Sequence, residues 1–115
     1  KANCVEEFKV IGDVKGKDVV ILDDMVDTAG TLCIAAEIMK EMGANSIRAM
    51  ATHPVLSGDA VEKIEESSIC ELIVSDTIPI KRKSDKIKVL SISKLFAEVI
   101  HKIYNNESVS STFIM

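Results

Sequence analysis

The chain has 115 residues, 47% of them hydrophobic and 28% charged, and its 14 basic and 18 acidic residues give a net charge of −4. This length is typical of one domain with a single core, and the apolar content is that of a globular protein. The mildly acidic balance excludes an electrostatic case for binding nucleic acid or an anionic membrane surface. No apolar run is long enough to span a bilayer, and we expect a cytoplasmic protein.

The cysteine content also favours a cytoplasmic protein. Cys4, Cys33 and Cys70 are odd in number and include no C-x-x-C pair. This spacing argues against a disulfide framework or a zinc site and favours a reducing cytoplasm. We expect all three to be small buried hydrophobic residues.

Strand and helix patterns alternate from the N-terminus onwards. A short apolar stretch at 8–11 and a turn at 14–17 precede Val19–Leu22, an apolar run without polar alternation. Such a run is typical of a strand covered on both faces. Thr31–Met42 has helical periodicity, and Gly43 suits a left-handed cap after it.

Further strands and helices follow in the same alternation. The predicted strands are Ser46–Thr52, Glu71–Ser75 and Ile87–Ile92. A short helix is expected after Ser57-Gly58-Asp59, and a last helix begins at Ser93 and ends at Asn105-Asn106. Alternation of this kind predicts one α/β domain, in which helices flank a parallel sheet on both faces.

Residues 22–31 are the most unusual segment, because three carboxylates, Asp23, Asp24 and Asp27, lie where a strand passes into a helix. In open parallel sheets, ligands bind beyond the carboxyl ends of the strands. Carboxylates this close together repel one another in a packed core, so they need water, a cation or hydroxyl donors. We therefore expect a vicinal diol or Mg²⁺ against Asp23 and Asp24.

The turn after Asp27 suits an anion. Thr28-Ala29-Gly30-Thr31 combines small side chains with a helix N-terminus, where free amides and the helix dipole can hold a phosphate. A sugar phosphate fits better than a nucleoside triphosphate, since the P-loop motif with its lysine is absent. The alternative is an acidic turn whose Asp27 or Thr28 merely caps the helix.

The chain contains a set of short motifs, which are residues 20–31, Gly12–Lys17 before them, and Thr52–Gly58, Asp76–Pro79, Lys86–Ser91 and Glu107–Ser111 after them. Together they resemble the ribose-phosphate pyrophosphokinase (phosphoribosyl pyrophosphate synthetase) family, which has a type I phosphoribosyltransferase fold. Residues 20–31 alone mark the fold superfamily, and the other segments mark this family. The likeness runs from Asn3 to Phe113, and it implies that residues 1–115 form one domain, similar to the C-terminal domain of a longer subunit.

The resemblance implies Mg²⁺-dependent transfer of the diphosphate of ATP to ribose 5-phosphate. It implies that Asp23 and Asp24 hold the ribose hydroxyls, directly or through Mg²⁺. The residues implied around the 5-phosphate are Asp27, Thr28, Ala29, Gly30 and Thr31. A regulatory contact is implied at Ser108, Ser110 and Phe113, as is a homo-oligomer, a hexamer in the family. The family's basic catalytic loop is not part of these 115 residues, so we expect the chain to bind ribose 5-phosphate weakly without turnover.

Other assignments stay open. A non-catalytic homologue that associates with the synthetase would share these motifs, and a salvage phosphoribosyltransferase would share the first of them. A receiver-type signalling domain of similar length would use Asp76 as its phosphoacceptor but would leave the turn at 28–31 without a role. We expect structural or solvated roles for His53 and for the loop Lys81–Lys83.

Overall fold

The computed structural model describes residues 9–113. The elements, in chain order, are β1 (Asp18–Val26), α1 (Gly30–Glu41), β2 (Ser46–Pro54), α2 (Ala60–Glu66), β3 (Glu71–Ser75), β4 (Ile87–Leu90) and α3 (Ser93–Tyr104), followed by a 3₁₀ helix at Ser110–Phe113. The predicted alternation of strands and helices is confirmed. Among these residues, no helix combines the length and the apolar content needed to cross a bilayer. Phe8, which opens the first predicted apolar stretch, lies outside the described residues.

The four strands are parallel and lie side by side in the order of the sequence, β1-β2-β3-β4. A right-handed crossover between neighbouring strands in this order always passes over the same face of the sheet. For this reason α1 and α2 lie on one face, where they contact each other. The predicted α/β class with a parallel sheet is confirmed.

The hydrophobic core lies between this face of the sheet and the two helices. Ile47, Leu72 and Val74 of the strands are almost fully buried, and they cluster with Ala36 of α1 and Ile64 of α2. Successive side chains of a strand point to opposite faces, so alternate residues of β2 and β3 enter this core. Burial of a large aliphatic side chain contributes about 1.5–3 kcal/mol, which makes this layer the main source of stability.

The opposite face of the sheet, called here the open face, is exposed in the described part of the chain. Leu22 and Leu90 on this face are 73% and 60% exposed. No residue of α3 is buried, and Phe96 and Ile100 on its apolar stripe are more than half exposed. The described residues thus differ from the expectation of helices on both faces, because crossovers between strands in sequential order place their helices on one side only.

Two strands extend further than the sequence predicts. β1 continues through Asp23 and Asp24 to Val26, because both carboxylates are exposed and therefore incur no burial cost in a strand. β2 includes His53 and Pro54, which pair with the end of β1. A proline at the end of a strand removes a single ladder hydrogen bond and is tolerated there. β4, in contrast, is shorter than predicted.

The basic loop is attached to α2 by its arginine. Arg82 forms ion pairs with Glu62 and Glu65 of that helix, and it is exposed, as are Lys81 and Lys83. These contacts agree with the prediction of a solvated loop.

Lys86 caps the C-terminus of α2. Its Nζ donates hydrogen bonds to the carbonyl oxygens of Ile64 at 3.2 Å and Ser67 at 3.0 Å. The last carbonyls of a helix have no partner within the helix and lie at the negative end of its dipole, so they favour a cation. The start of β4 is thereby fixed against α2.

We expect Lys86→Met to lower the free energy of unfolding by about 1–2 kcal/mol, because methionine keeps most of the alkyl stem but leaves these carbonyls without a cation. Lys81→Met, at an exposed position of the neighbouring loop, is the matched control, and its effect should stay below about 0.5 kcal/mol. Urea unfolding followed by circular dichroism measures both variants. Equal stabilities of the two variants would contradict the capping role.

Candidate functional site

The segment singled out in the sequence lies where β1 is followed by α1. Ala29, the N-cap of α1, has a φ of 66° and is therefore left-handed. This conformation costs an alanine about 1–2 kcal/mol. Ala29 is buried, so the surrounding packing maintains the strained backbone. Backbone strain of this kind clusters at ligand-binding sites.

The turn leaves several backbone donors unused. Among the hydrogen bonds formed within residues 9–113, none has an amide N–H of residues 28–32 as its donor. The next amide, that of Cys33, donates to the Ala29 carbonyl at 3.0 Å. No side chain caps α1, so the interpretation in which Asp27 or Thr28 merely caps the helix is wrong. The amides are available to an anion at the positive end of the helix dipole.

Residues 28–32 belong to the lining of a cavity of about 210 Å³. The lining includes Asp23 of β1, the whole run Asp27–Leu32, and Ala49 and Ala51 of β2, and none of the described residues that line it is lysine or arginine. Pockets for drug-sized ligands measure about 300–1,000 Å³, so this cavity suits a smaller molecule. The structure thus places Asp23 in the lining of one cavity with Asp27, Thr28, Ala29, Gly30 and Thr31, and their roles in binding a ligand stay a prediction.

Asp24 is the exception among the residues predicted to bind ribose 5-phosphate, since it does not line this cavity. Its carboxyl nevertheless interacts with that of Asp23, the preceding residue of β1. Each carboxylate accepts a hydrogen bond from the next amide, at 2.8 Å from Asp24 N–H and 2.7 Å from Met25 N–H. Hydrogen bonds with the Asp23 carboxyl, which has the larger effect, and with the Met25 amide lower the pKa of Asp24. Asp24 is therefore an anion at neutral pH.

Asp23 and Asp24 are also the predicted ligands of Mg²⁺. Within the part of the chain that the structure describes, no three or more His, Cys, Asp or Glu side chains come together in a group that could hold a metal ion. Mg²⁺ commonly binds through one or two carboxylates, and substrate oxygens and waters complete its octahedron. The pair Asp23 and Asp24 fits an ion carried with a substrate, and it does not fit a closed protein site.

The loop after β2 is hydrogen-bonded to the segment between β1 and α1. The Ser57 hydroxyl donates to the Asp27 carboxylate. The Ser57 amide donates to the Asp27 carbonyl at 3.1 Å, and the Leu56 amide donates to the Val26 carbonyl at 3.0 Å. Ser57 is not among the site residues predicted from the sequence, because its pairing with Asp27 joins positions thirty residues apart.

His53 is held by a neighbouring side chain. Its Nδ1 lies 2.9 Å from Thr77 Oγ1, and Thr77 Oγ1 lies 3.3 Å from the Thr52 carbonyl oxygen. The histidine is part of β2 rather than of a loop, and it does not line the 210 Å³ cavity. A structural role for His53 stays a prediction that agrees with these contacts.

The tail contains the predicted regulatory residues. Ser108 and Ser110 are exposed, and the Ser110 amide donates to Ser108 Oγ at 3.3 Å. Lys102 of α3 donates to Thr112 Oγ1 at 2.9 Å, which attaches the 3₁₀ helix containing Phe113 to α3. The regulatory role of Ser108, Ser110 and Phe113 stays a prediction.

The cysteines differ from the sequence prediction. Cys70 is exposed and Cys33 is half-buried, so the expectation of buried cysteines is wrong for Cys70. Burial raises the pKa of the Cys33 thiol. Cys4 lies outside the described residues.

A second cavity, of about 430 Å³, runs along the open face. Its lining is mainly apolar and includes Leu22, Met50, Ile73, Leu90 and Ile92. The sequence pattern could not reveal it, since an uninterrupted apolar strand predicts cover on both faces.

The receiver-type alternative disagrees with the topology. Receiver domains of the flavodoxin-like class have the strand order 2-1-3-4-5, whereas the order here is β1-β2-β3-β4. In addition, the Asp76 carboxylate accepts a hydrogen bond from the Ile92 amide at 2.9 Å. Hydrogen bonds from the Ser91 side chain, which has the larger effect, and from the Ile92 amide lower the pKa of Asp76. This aspartate therefore supports the start of α3.

Comparisons with known proteins agree with the motifs. Residues 4–114 match the sequence profile of a family described as "Phosphoribosyl synthetase-associated domain". Ribose-phosphate pyrophosphokinase from Wolinella succinogenes is 57% identical over 114 residues, which are 99% of this chain and 37% of that protein. The protein of the same name from Helicobacter hepaticus is 55% identical over 113 residues, 98% of this chain and 37% of that protein.

The fold agrees as well. The crystal structure of phosphoribosylpyrophosphate synthetase from Mycobacterium smegmatis has a TM-score of 0.82 and 40% identity, covering 84% of this chain and 33% of that chain. The chain therefore spans little more than a third of the length of the curated relatives that it matches. The resemblance drawn from the motifs is confirmed, and the receiver-type interpretation is wrong. The chain belongs to the phosphoribosyl synthetase-associated domain family.

Proposed function

We propose that this chain forms the ribose 5-phosphate-binding part of a ribose-phosphate pyrophosphokinase, a transferase of nucleotide biosynthesis. The parent enzyme would transfer the diphosphate of ATP to ribose 5-phosphate and form phosphoribosyl pyrophosphate. The observation that carries the proposal is that the amides of residues 28–32 have no acceptor among the described residues, and that these residues line a small cavity together with Asp23.

The phosphate end of the ligand is assigned to the turn. A phosphate monoester has several acceptor oxygens, and the positive end of a helix with free N–H groups favours such an anion. The described residues that line the cavity include no lysine or arginine, so the backbone and the hydroxyls of Thr28 and Thr31 would supply the hydrogen bonds. Gly30 allows close approach of a ligand because it has no side chain, and a Cβ placed there would point into open space, with no atom from other parts of the described chain within 4 Å.

The ribose end is assigned to the carboxylates. Sugar hydroxyls donate well to ionised carboxylates, and Asp23 and Asp24 are exposed at the end of β1. Mg²⁺ is the proposed cofactor, with Asp23 and Asp24 as its protein ligands. When bound, Mg²⁺ would neutralise charge on the transferred diphosphate. The chain's own contribution is to bind and orient the acceptor, and positioning is a large part of phosphoryl-transfer catalysis.

The ATP site and the assembly are assigned to the parent protein. A triphosphate requires cations, and the described lining of this cavity supplies none. We propose that ATP-binding groups lie in the remainder of the parent, in which this chain forms the C-terminal domain. The exposed apolar side chains of the open face and of α3 agree with burial in a homo-oligomer, a hexamer by the resemblance. The free thiols of Cys33 and Cys70 favour the cytoplasm.

A non-catalytic homologue is the second candidate. It is favoured by the family description, which names a synthetase-associated domain. The relatives reported above carry the name of the enzyme, which favours the catalytic assignment. Assay of AMP release by the full-length parent separates the two, because only the enzyme consumes ATP with ribose 5-phosphate.

Calorimetric titration tests the assignment of the site directly. We expect ribose 5-phosphate to bind the 115-residue chain, and Mg²⁺ to strengthen the binding. Ribose without phosphate should bind far more weakly, because the amides of residues 28–32 would have no anion to hold. Equal heats for ribose and ribose 5-phosphate would refute the assignment of the turn to the phosphate.

A further inference from the structure

We propose that Ser57 is a positioning residue that keeps the Asp27 carboxylate from capping α1, so that the amides of residues 28–32 stay available to an anionic ligand. This inference rests on the proposed function of those amides. It assigns a role to a residue outside the cavity, on the loop that follows β2.

Asp27 is a competitor for these amides by its position in the chain. It precedes the N-cap residue Ala29 by two positions. Aspartate readily bonds the amide two residues further on in an Asx turn, and it is among the most favourable capping residues. Its negative charge is also attracted to the positive end of α1. Without a restraint, the carboxylate would occupy the donors that a phosphate needs.

The structure shows the carboxylate engaged elsewhere. Asp27 accepts a hydrogen bond from the Ser57 hydroxyl, and no side chain caps α1. The backbone fixes the serine in place, because its amide donates to the Asp27 carbonyl at 3.1 Å. With two contacts between the same residues, the hydroxyl needs to order little more than one side-chain torsion to hold the carboxylate.

The backbone conformation of Leu56 places Ser57 next to Asp27. Its φ of 47° is left-handed, a conformation rarely adopted by a residue with a branched side chain. The side chain is partly buried against the hydrophobic core, and the amide donates to the Val26 carbonyl at 3.0 Å. Packing and hydrogen bonding therefore maintain a strained backbone at the point where the chain turns Ser57 toward Asp27.

Hydrogen exchange of the amides tests the restraint without any ligand. In the 115-residue chain, Ser57→Ala should slow exchange at Ala29 or Gly30 about fivefold, because the released carboxylate caps them with the strength of an ordinary N-cap. Adding Asp27→Ala to Ser57→Ala should restore the original rate. Ser57→Thr keeps the hydroxyl and should leave exchange unchanged. Unchanged exchange in Ser57→Ala would overturn the proposal.

Binding provides the second readout, with ribose 5-phosphate and inorganic phosphate as probes. Ser57→Ala should weaken both about fivefold when Asp27 is present and less than twofold in the Asp27→Ala background. Ser67→Ala, which removes a hydroxyl bonded to the Ile64 carbonyl, is the matched control and should not alter affinity. An equal loss in both backgrounds would overturn the proposal. Absence of binding by the unmodified chain, with the exchange pattern as expected, would instead refute the proposed function.

Discussion

Replacement of both Asp23 and Asp24 by asparagine should weaken the binding of ribose 5-phosphate about 100-fold, because each ionised carboxylate that accepts a ligand hydrogen bond contributes about 1.5 kcal/mol or more. Both side chains are exposed at the end of β1, so the variant should remain folded. The dependence of binding on Mg²⁺ should disappear with the charges. Calorimetric titration with and without Mg²⁺ measures both effects.

Asp59→Asn is the matched control for this experiment. Asp59 is also exposed, and its carboxylate pairs with Lys63 on α2 outside the 210 Å³ cavity. We expect this variant to bind like the unmodified chain. If the double variant kept full affinity and Mg²⁺ dependence, the carboxylates would not hold the sugar.

Substitution of Gly30 should lower the affinity for ribose 5-phosphate without lowering the stability of the fold. A Cβ at this position meets no atom from other parts of the described chain within 4 Å, and Gly30 lines the cavity. Alanine is the better helix former by about 1 kcal/mol in a helix interior, so Gly30→Ala should not destabilise the fold. The added methyl group occupies space next to the amides, and we expect at least a tenfold loss of affinity for ribose 5-phosphate. Gly30→Leu should abolish binding.

Thermal unfolding and calorimetry together measure this series. Glu41→Leu places the same bulk on an exposed position at the other end of α1 and serves as the control. It should leave affinity unchanged. A Gly30→Leu variant that still bound ribose 5-phosphate with full affinity would show that the phosphate lies away from the turn.

Local patterns were sufficient to predict the α/β class and the positions of its elements. The apolar run after Val19 predicted β1, and helical periodicity with Gly43 at its end predicted α1, since both depend on the spacing of neighbouring residues. The φ of 94° at Gly43 agrees with the predicted left-handed cap. The ends of β1 and β2 were less predictable, because exposure to solvent let Asp23 and Asp24 remain in β1, and pairing with β1 kept Pro54 in β2.

The candidate site was predicted in its chemistry but not in its geometry. Acidic residues followed by a turn of small residues predict a site for the hydroxyls and the phosphate of a ligand. All of these residues are consecutive in the chain, so the pattern is visible in the sequence. Whether Asp27 caps the helix or leaves its amides free depends on Ser57, a residue brought close by the pairing of β1 with β2. Contacts between distant positions of this kind have no local signature.

The sequence by itself determined the kinds of element, the family and the cluster of residues at the end of the first strand. Each of these follows from short runs of neighbouring residues, several such runs in the case of the family. Only the tertiary structure decided that both crossover helices lie on one face, that Lys86 caps α2 and that the amides of residues 28–32 have no acceptor among the described residues. Strand order and burial determine these features, because they bring together groups that are far apart in the chain.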